Sequence, residues 1–277
     1  MQGECIAEVI ESKNTSFKVG ELVSGGFGWV SHAISSGRGL RKIPRSNIPE
    51  QTSLGVLGMP GHTAWVGLNK IATASSGETI VVSAASGAVG SLVGQLAKKK
   101  GLRVIGVAGS DQKCAYVTKE LGYDACINHR SVSSVGEFRE MISSYCPEGI
   151  DIYFENVGGK VWQAVTPLLN MFSRVAVCGM ISHYNATSLP DGPNRVPELM
   201  FKILTHRVTL RGFIVRDYDD QLEDFLSDTS RWIKEGKIKY REDITNGLEQ
   251  APRALIGLLK GENFGKLCIK VSPDTAN

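Results

Sequence analysis

The sequence predicts an α/β protein with a doubly wound parallel sheet and a second, smaller β-rich unit. Two observations lead to this fold class. From residue 79 onward, short and almost wholly apolar runs alternate with helical patterns, whereas residues 1–58 contain β-rich pieces separated by Gly, Ser, Asn and Pro. Apolar runs of this kind are typical of parallel strands that helices cover on both faces.

The predicted sheet contains six strands, and a helix follows each of them. The first helix places Leu92, Val93 and Leu96 on one face, and it ends in lysines followed by Gly101, as suits a helix C-terminus. The second helix begins after Ser110, a good N-cap residue. The predicted strands are 79–83, 103–108, 124–128, 151–156, 174–179 and 208–215, and the predicted helices are 88–100, 111–121, 135–145, 159–170, 195–205 and 219–236.

The β-rich unit is predicted to combine the two ends of the chain. Strand-like pieces lie at 5–10, 21–25 and 28–34, and the tail over 261–271 has the pattern of a turn followed by a strand that can rejoin them. We therefore expect one domain made of residues 1–56 and 239–277, and a second domain, containing the parallel sheet, made of residues 57–238.

Composition excludes several classes of function. A formal charge of +3 over 277 residues gives no field that favours nucleic acid or an anionic membrane as partner. No apolar run approaches the ~20 residues of a membrane span, and no secretory signal is present at the N-terminus, so we expect a cytoplasmic protein. Six scattered cysteines and five dispersed histidines favour reduced thiols and no metal site.

Residues 83–91, SAASGAVGS, form the turn between the first strand of the predicted sheet and its helix. They follow the dinucleotide fingerprint G-x-G-x-x-G of Rossmann folds, with Gly87 and Gly90 in the last two glycine positions and Ala85 in the first. Ala85 requires a first bend without positive φ, or with slight strain. The alternative is a tight turn that binds no ligand. The predicted cofactor loop comprises Ala85, Gly87, Ala88, Val89 and Gly90, with helix-start amides facing the phosphates.

The end of the second strand indicates which dinucleotide binds. An NAD site places Asp or Glu there to hold the ribose hydroxyls, but this chain has Gly109 and Ser110, with Lys113 one turn into the next helix. Small donors and a cation suit a 2'-phosphate, so we expect NADPH as cofactor. Arg130 is a candidate second cation. The alternative is that Asp111 holds the ribose while Lys113 is a solvated surface residue.

Seven ordered blocks across the chain resemble one family: the zinc-independent, NADPH-dependent double-bond reductases of the medium-chain dehydrogenase/reductase superfamily. That family includes prostaglandin and leukotriene reductases, plant alkenal reductases and bacterial curcumin reductase. The resemblance implies a Rossmann domain with a GroES-like catalytic domain, which here looks short of N-terminal strands, and a homodimer. The blocks are GMPGHTAWVGL, VSAASGAVGSLVGQLAK, AGSDQK, YFENVGG, CGMISHYN, EGKIKYRE and GENFGK.

The resemblance also implies roles for individual residues. Lys113 takes the position of the family's 2'-phosphate lysine, and His129 replaces a tyrosine that helps to clasp that phosphate, so we expect pH to modulate affinity. Glu4 stands where zinc-dependent relatives carry a histidine ligand, which argues further against zinc. Tyr184 is the candidate proton donor and is also expected to contact the cofactor, since its phenol can bond either the ribose hydroxyl or the enolate. The alternative is a tyrosine that packs a loop. Further positions expected to line the cofactor are Asn156, Gly179, Phe213, Val215 and Asn263.

The activity that the resemblance implies is reduction of a carbon–carbon double bond conjugated to a carbonyl in a small molecule, by hydride transfer from NADPH. 2-Alkenals, enones and 15-keto prostaglandins are the expected substrate classes. Two alternatives remain open at this point: an NADPH quinone oxidoreductase of the same superfamily, and a protein that binds NADPH without turnover.

Overall fold

A computed structural model describes residues 1, 3–188 and 192–272. Its eleven strands among these residues form three sheets. Strands β1, β2 and β3 make an antiparallel sheet, β10 and β11 make a parallel pair, and the central sheet is wholly parallel. The strands are β1 (Cys5–Glu8), β2 (Leu22–Gly25), β3 (Arg41–Ile43), β4 (Thr79–Val82), β5 (Arg103–Ala108), β6 (Ala125–Asn128), β7 (Ile150–Glu155), β8 (Leu169–Val177), β9 (Thr209–Gly212), β10 (Glu242–Asn246) and β11 (Lys266–Lys270).

Eight α-helices connect these strands in the described part of the chain. Short 3₁₀ turns lie at 50–54, 166–168, 181–183, 215–221 and 248–250, and a π-helical turn covers 67–71. The helices are α1 (Met59–Val66), α2 (Gly90–Lys99), α3 (Asp111–Lys119), α4 (Val135–Tyr145), α5 (Gly159–Val165), α6 (Val196–His206), α7 (Leu222–Lys234) and α8 (Ala251–Leu259).

The central sheet has the order β6-β5-β4-β7-β8-β9. The first of these strands along the chain, β4, lies in the middle of the sheet. Strands β5 and β6 extend the sheet on one side of β4, and β7, β8 and β9 extend it on the other. The order therefore reverses between β4 and β7, and in such sheets ligands bind at the carboxyl ends of the strands beside that point. This is the predicted doubly wound Rossmann sheet, so the expected fold class is confirmed.

Strand periodicity divides the core into two clusters, one on each face of the sheet. Ile80 and Val82 pack into one cluster, whereas Val81 between them packs into the other. Val104 and Ile105 separate in the same way on the next strand. Successive side chains on a strand point to opposite faces. All five of these side chains are fully buried, which is why the sequence shows apolar runs without alternation.

All six predicted strands of the parallel sheet are present, but the helix predicted over 159–170 ends at Val165, and β8 begins at Leu169 rather than at 174. The predictions for the N-terminal unit are confirmed only in part. Residues 28–34 are not a strand: Gly28 has a φ of +81°, and Ile34 is fully exposed. The third strand of that sheet is β3, which the sequence analysis did not identify. It also missed α1, β10 and α8. The tail strand β11 pairs with β10 rather than joining the β1–β3 sheet.

Helix α2 packs closely against the ring of Tyr123 because residue 94 is a glycine. A Cβ at that position would lie 1.9 Å from Cζ of the buried Tyr123, whose hydroxyl donates to the Gly90 carbonyl at 2.5 Å. The ring of Tyr123 therefore occupies the space that a side chain at residue 94 would need. This contact sets how near the cofactor-side helix lies to the strands.

None of the described helices is both long enough and apolar enough to cross a membrane.

We expect Gly94→Ala to lower the free energy of unfolding by about 3 kcal/mol, because the new methyl group overpacks the core against Tyr123. Urea denaturation followed by circular dichroism measures this. Gly136→Ala in α4 is the matched control: its Cβ would meet nothing nearer than Ser134 Oγ at 3.8 Å. The control should be unchanged or stabilised by up to about 1 kcal/mol. Equal stabilities of the two variants would contradict the proposed packing constraint.

Candidate active site

The glycine loop lies between β4 and α2, at the carboxyl end of the sheet. Gly90 cannot carry a side chain, because a Cβ there would lie 2.4 Å from the Ala84 carbonyl oxygen. At Gly87 the same oxygen would be 3.1 Å away. Among the described residues no side chain caps α2, whose N-cap is Val89. Uncapped amides at a helix start favour an anion such as a pyrophosphate.

The backbone at the first position of the fingerprint, Ala85, differs from the sequence prediction. The residue with positive φ is Ala84, at +50°, and not Ala85. Ala85 is fully buried, and its methyl group lies where a side chain on Gly106 of β5 would clash, at 2.9 Å. Glycine at 106 thus makes room for alanine at 85. The strain expected at the first bend lies one residue earlier than proposed.

A cluster of cations surrounds Gly109 at the end of β5. A Cβ on Gly109 would lie 3.4 Å from Nε of Arg130 and 3.5 Å from Nε2 of His129. Ser110 caps α3 by accepting from the Lys113 amide at 3.2 Å. Lys113 is half-buried, and its ammonium donates to the Gly261 carbonyl at 2.7 Å. It is therefore not the solvated surface lysine of the alternative interpretation.

Neighbouring positive charge lowers the pKa of both Lys113 and His129. Burial lowers the pKa of Lys113, and the charge of Arg130 lowers it further, while Asp243 opposes the shift. Burial also lowers the pKa of His129, with added repulsion from Arg130, Lys160 and Lys113. A bound phosphate would relieve this repulsion. His129 is consequently biased toward its neutral form, in which one ring nitrogen remains a donor.

A hydrogen bond to another side chain engages Asp111, so it does not fit the alternative in which Asp111 holds the ribose. Its Oδ1 accepts from Nδ2 of Asn128 at 2.9 Å, which ties the start of α3 to the end of β6. The residues that face the predicted ribose position are small or cationic. This arrangement fits a 2'-phosphate better than a ribose hydroxyl pair.

The C-terminal tail reaches the glycine loop directly. Gly265 forms an isolated parallel β-bridge with Gly87. Asn263 donates from Nδ2 to the Gly265 carbonyl at 2.9 Å, so its side chain is fixed close to that bridge. The adjoining turn supplies the carbonyls of Lys260 and Gly261 to Arg130 and Lys113. Asn263 thus lies near the loop, as the sequence analysis expected.

A buried acid that the sequence analysis did not identify holds the switch point together. Glu155, at the end of β7, is 1% exposed. Its Oε1 accepts from the Val157 amide at 2.5 Å and the Gly158 amide at 3.0 Å. Ser83 Oγ lies 3.1 Å from the same oxygen, and the Tyr153 hydroxyl donates to Oε2 at 2.7 Å. The signal in the sequence that could have identified Glu155 is an acidic residue at the end of the apolar strand DIYFE.

This network positions Asn156. Its amide donates to Ser83 Oγ at 2.8 Å, and its Nδ2 donates to the Ser83 carbonyl at 2.7 Å. Asn156 is therefore locked to β4 and β7 together, beside the crevice. A Cβ placed on Gly179, at the end of β8, would lie 3.5 Å from the Asn156 carbonyl oxygen.

Tyr184 lies over the same point. A Cβ on Gly179 would be 3.0 Å from the Tyr184 hydroxyl, so glycine at 179 leaves room for that group. The Tyr184 side chain is 66% exposed, which does not fit the alternative of a tyrosine that packs a loop. The 3₁₀ turn 181–183 carries it, and His183 donates its amide to the Met180 carbonyl. The hydroxyl thus lies at the carboxyl ends of β7 and β8.

Phe213 and Val215 follow β9, and their side chains point into the core rather than toward solvent. Val215 is 9% exposed and belongs to the main core cluster, against which Phe213 packs. A Cβ on Gly67 would lie 2.9 Å from Cζ of Phe213. Only the backbone of this segment and one edge of the Phe213 ring remain candidates for lining the cofactor.

Two family models match the chain. The model described as zinc-binding dehydrogenase covers residues 88–231, and that described as the N-terminal domain of oxidoreductase covers residues 1–43. The first description names a broad family. In the described ranges of this chain, no three His, Cys, Asp or Glu side chains lie together as metal ligands would.

Similar proteins narrow the assignment. The NADPH-dependent curcumin reductase of Escherichia coli is 50% identical over 275 residues, which span 99% of this chain and 79% of that protein. Prostaglandin reductase 1 of Rattus norvegicus is 45% identical over 275 residues, 98% of this chain and 81% of that protein.

A solved structure has the same fold along almost the whole chain. CurA from Vibrio vulnificus in complex with NADPH superposes with a TM-score of 0.93 at 46% identity, covering 99% of this chain and 80% of that one. The sequence blocks, the Rossmann sheet, the cation cluster and these similarities agree. The chain belongs to the zinc-independent, NADPH-dependent double-bond reductases of the medium-chain dehydrogenase/reductase superfamily.

Proposed function

We propose that this protein uses NADPH to reduce the carbon–carbon double bond of small α,β-unsaturated aldehydes and ketones. The observation that carries the proposal is the hydroxyl of the exposed Tyr184, which lies over Gly179 at the carboxyl end of a sheet suited to a dinucleotide. A donor in that place can bond an oxygen on which negative charge develops. The 15-keto prostaglandins and other enones fall within this substrate class.

NADPH, when bound, supplies the hydride that reaches the β-carbon of the substrate. The chain's own residues bind the cofactor, orient the substrate and move a proton. Lys113, Arg130 and His129 would hold the 2'-phosphate, and the start of α2 would hold the pyrophosphate. Residues proposed to line the rest of the cofactor are Ala85, Gly87, Ala88, Val89, Gly90, Gly109, Ser110, Asn156, Gly179, Phe213, Val215 and Asn263.

Tyr184 would donate a hydrogen bond to the carbonyl oxygen of the substrate and then relay a proton to the α-carbon. Asn156 would fix the adjacent end of the cofactor, because two hydrogen bonds to Ser83 already determine its orientation. The Glu155 carboxyl group does not reach the reacting atoms in this scheme. It holds the 156–158 turn on which these positions depend.

We also propose the two-domain division at residues 1–56 with 239–277, and 57–238. The tail approaches the N-terminal segment: a Cβ on Gly55 would lie 3.3 Å from Cγ of Lys266. Burial raises the pKa of Glu242, and the nearby side chain of Gln51 opposes this shift. The Gly87–Gly265 bridge is then a contact between the domains at the cofactor loop.

A homodimer in the cytoplasm is proposed as the working state. Helix α6 exposes Met200, Phe201 and Leu204 beside β9, the edge strand of the central sheet. An exposed apolar stripe next to an edge strand suits a second copy, which can extend the sheet and cover the stripe. Six free cysteines support a reducing compartment.

We expect Lys113→Ala to raise the dissociation constant for NADPH by about 10- to 100-fold, because one charge-assisted hydrogen bond contributes about 1.5–3 kcal/mol. Binding of NADH should change little, since it has no 2'-phosphate. Titration calorimetry with both cofactors measures this. Lys119→Ala, an exposed lysine at the other end of α3, is the control. Equal use of NADH and NADPH by the parent protein would refute the 2'-phosphate assignment.

We expect Tyr184→Phe to lower kcat about 100-fold on enones, because the variant loses the donor to the substrate, with a smaller loss of NADPH affinity from the missing hydrogen bond to the ribose. The assay follows NADPH oxidation with 2-alkenals, enones, 15-keto prostanoids and quinones. Tyr145→Phe, an exposed tyrosine at the end of α4, is the control. Full activity of Tyr184→Phe would refute the role of Tyr184. NADPH oxidation by quinones alone, or by none of the compounds, would refute the proposed reaction.

We expect the parent protein to sediment at twice the chain mass of 29.9 kDa, and Leu204→Glu to shift it toward the monomer, because a charge would be buried in the interface. Analytical ultracentrifugation measures both. Ile256→Glu on α8 changes an exposed apolar residue elsewhere and should remain dimeric. A monomeric parent protein, or a dimeric Leu204→Glu variant, would contradict the proposed interface.

A further inference from the structure

Two cysteines outside the proposed cofactor contacts lie side by side. The Sγ of Cys126 in β6 is 3.1 Å from the Sγ of Cys114 in α3, and both residues are free thiols. We propose that Cys114 and Cys126 form an oxidisable pair, which a hydroperoxide converts to a disulfide, and that this disulfide weakens NADPH binding.

The register of β6 against α3 brings the two thiols together. Ala125 and Ile127 point into one core cluster, so Cys126 and Asn128 share the opposite face of the strand. Asp111 and Cys114 are three residues apart on the helix and share a face as well. The hydrogen bond from Asn128 to Asp111 and the contact from Cys126 to Cys114 are therefore parallel links between the same two elements.

Bond formation requires only a small movement. The sulfur atoms of a disulfide lie about 2.0 Å apart, so the two Sγ atoms need to approach by about 1 Å. Side-chain rotation at both cysteines and a slight shift of α3 can supply this. The link between Asp111 and Asn128 keeps the elements aligned while they move.

The environment makes Cys114 the attacking group. The S–H of Cys126 donates to the Cys114 sulfur and thereby lowers the pKa of Cys114, against the opposing effects of burial and Asp111. The same hydrogen bond and burial raise the pKa of Cys126. Cys146 differs, since burial raises its pKa to about 11. Thiolate is the reactive form, so oxidation should begin at Cys114.

The reaction has two balanced steps. The Cys114 thiolate attacks one oxygen of hydrogen peroxide: an S–O bond forms, the O–O bond breaks, and hydroxide leaves and takes up the thiol's former proton as water. The Cys126 thiol then attacks the Cys114 sulfenic acid: the S–S bond forms, the S–O bond breaks, and hydroxide leaves with the Cys126 proton as water. Two thiols are oxidised by two electrons, which reduce one peroxide to two waters.

Oxidation changes the cofactor site because each linked element carries part of it. Helix α3 is capped by Ser110 and carries Lys113, whereas β6 runs directly into His129 and Arg130. Drawing α3 toward β6 changes the distance between the cations on the two elements. This second half of the proposal rests on the 2'-phosphate assignment made under the proposed function. The disulfide itself does not.

The test treats the parent protein with hydrogen peroxide, blocks the remaining thiols and digests without reduction. Trypsin cuts after Lys113, Lys119 and Arg130, so we expect peptides 114–119 and 120–130 to appear linked in the mass spectrum. Calorimetry should show the dissociation constant for NADPH about fivefold higher after oxidation, restored by dithiothreitol, with NADH binding unchanged. Cys126→Ser should keep its NADPH affinity through the treatment, and Cys146→Ser should behave as the parent protein does.

Absence of the linked peptides in the parent protein would overturn the proposal. Linked peptides with unchanged NADPH affinity, in a protein that still loses affinity on Lys113→Ala, would refute the coupling alone. If Lys113→Ala has no effect while the linked peptides form, the 2'-phosphate assignment fails and the thiol pair stands.

Discussion

The site depends on a buried carboxyl group at the point where the sheet reverses its order. A carboxyl group removed from water is costly unless hydrogen bonds satisfy it, and Glu155 receives them from two amides, a serine hydroxyl and a phenol. The two strands that border the crevice, β4 and β7, are joined through Ser83 in this way. Gly158, with a φ of +80°, lets the chain turn back so that its amide reaches the acid. Asn156 and the segment below Tyr184 take their positions from this network.

The selectivity for NADPH that we propose rests on a different principle, the crowding of like charges. Lys113, His129 and Arg130 lie close together around Gly109, and the charge of Arg130 helps to lower the pKa of both Lys113 and His129. In the structure, the carbonyls of Lys260 and Gly261 partly neutralise the lysine and arginine. A dianionic phosphate stabilises these cations more than the carbonyl dipoles do, whereas a ribose hydroxyl stabilises them less. In this proposal, discrimination between NADPH and NADH follows from how the cations are arranged rather than from a single residue.

The sequence predicted secondary structure correctly where burial on both faces of the sheet permits only a strand. The apolar runs at 79–83 and 103–108 are buried on both faces, so their strand assignment needed no tertiary information. The run 28–34 has apolar residues too, but it lies at the surface with a left-handed glycine, and local pattern alone did not reveal this. The glycine fingerprint identified the loop but misplaced its strain, since Ala84 rather than Ala85 takes the positive φ. Contacts such as Gly87 with Gly265, or Cys114 with Cys126, depend on which elements meet in space.

The bridge between Gly87 and Gly265 has a consequence for how the protein is made. The glycine loop and its helix leave the ribosome well before the segment that pairs with the loop. A nascent chain can therefore form most of the central sheet while its nucleotide site is still open on one side. Cofactor binding is then delayed until the segment around Gly265 has emerged. Contacts this distant in sequence also form slowly, so completion of the site should be a late event in folding.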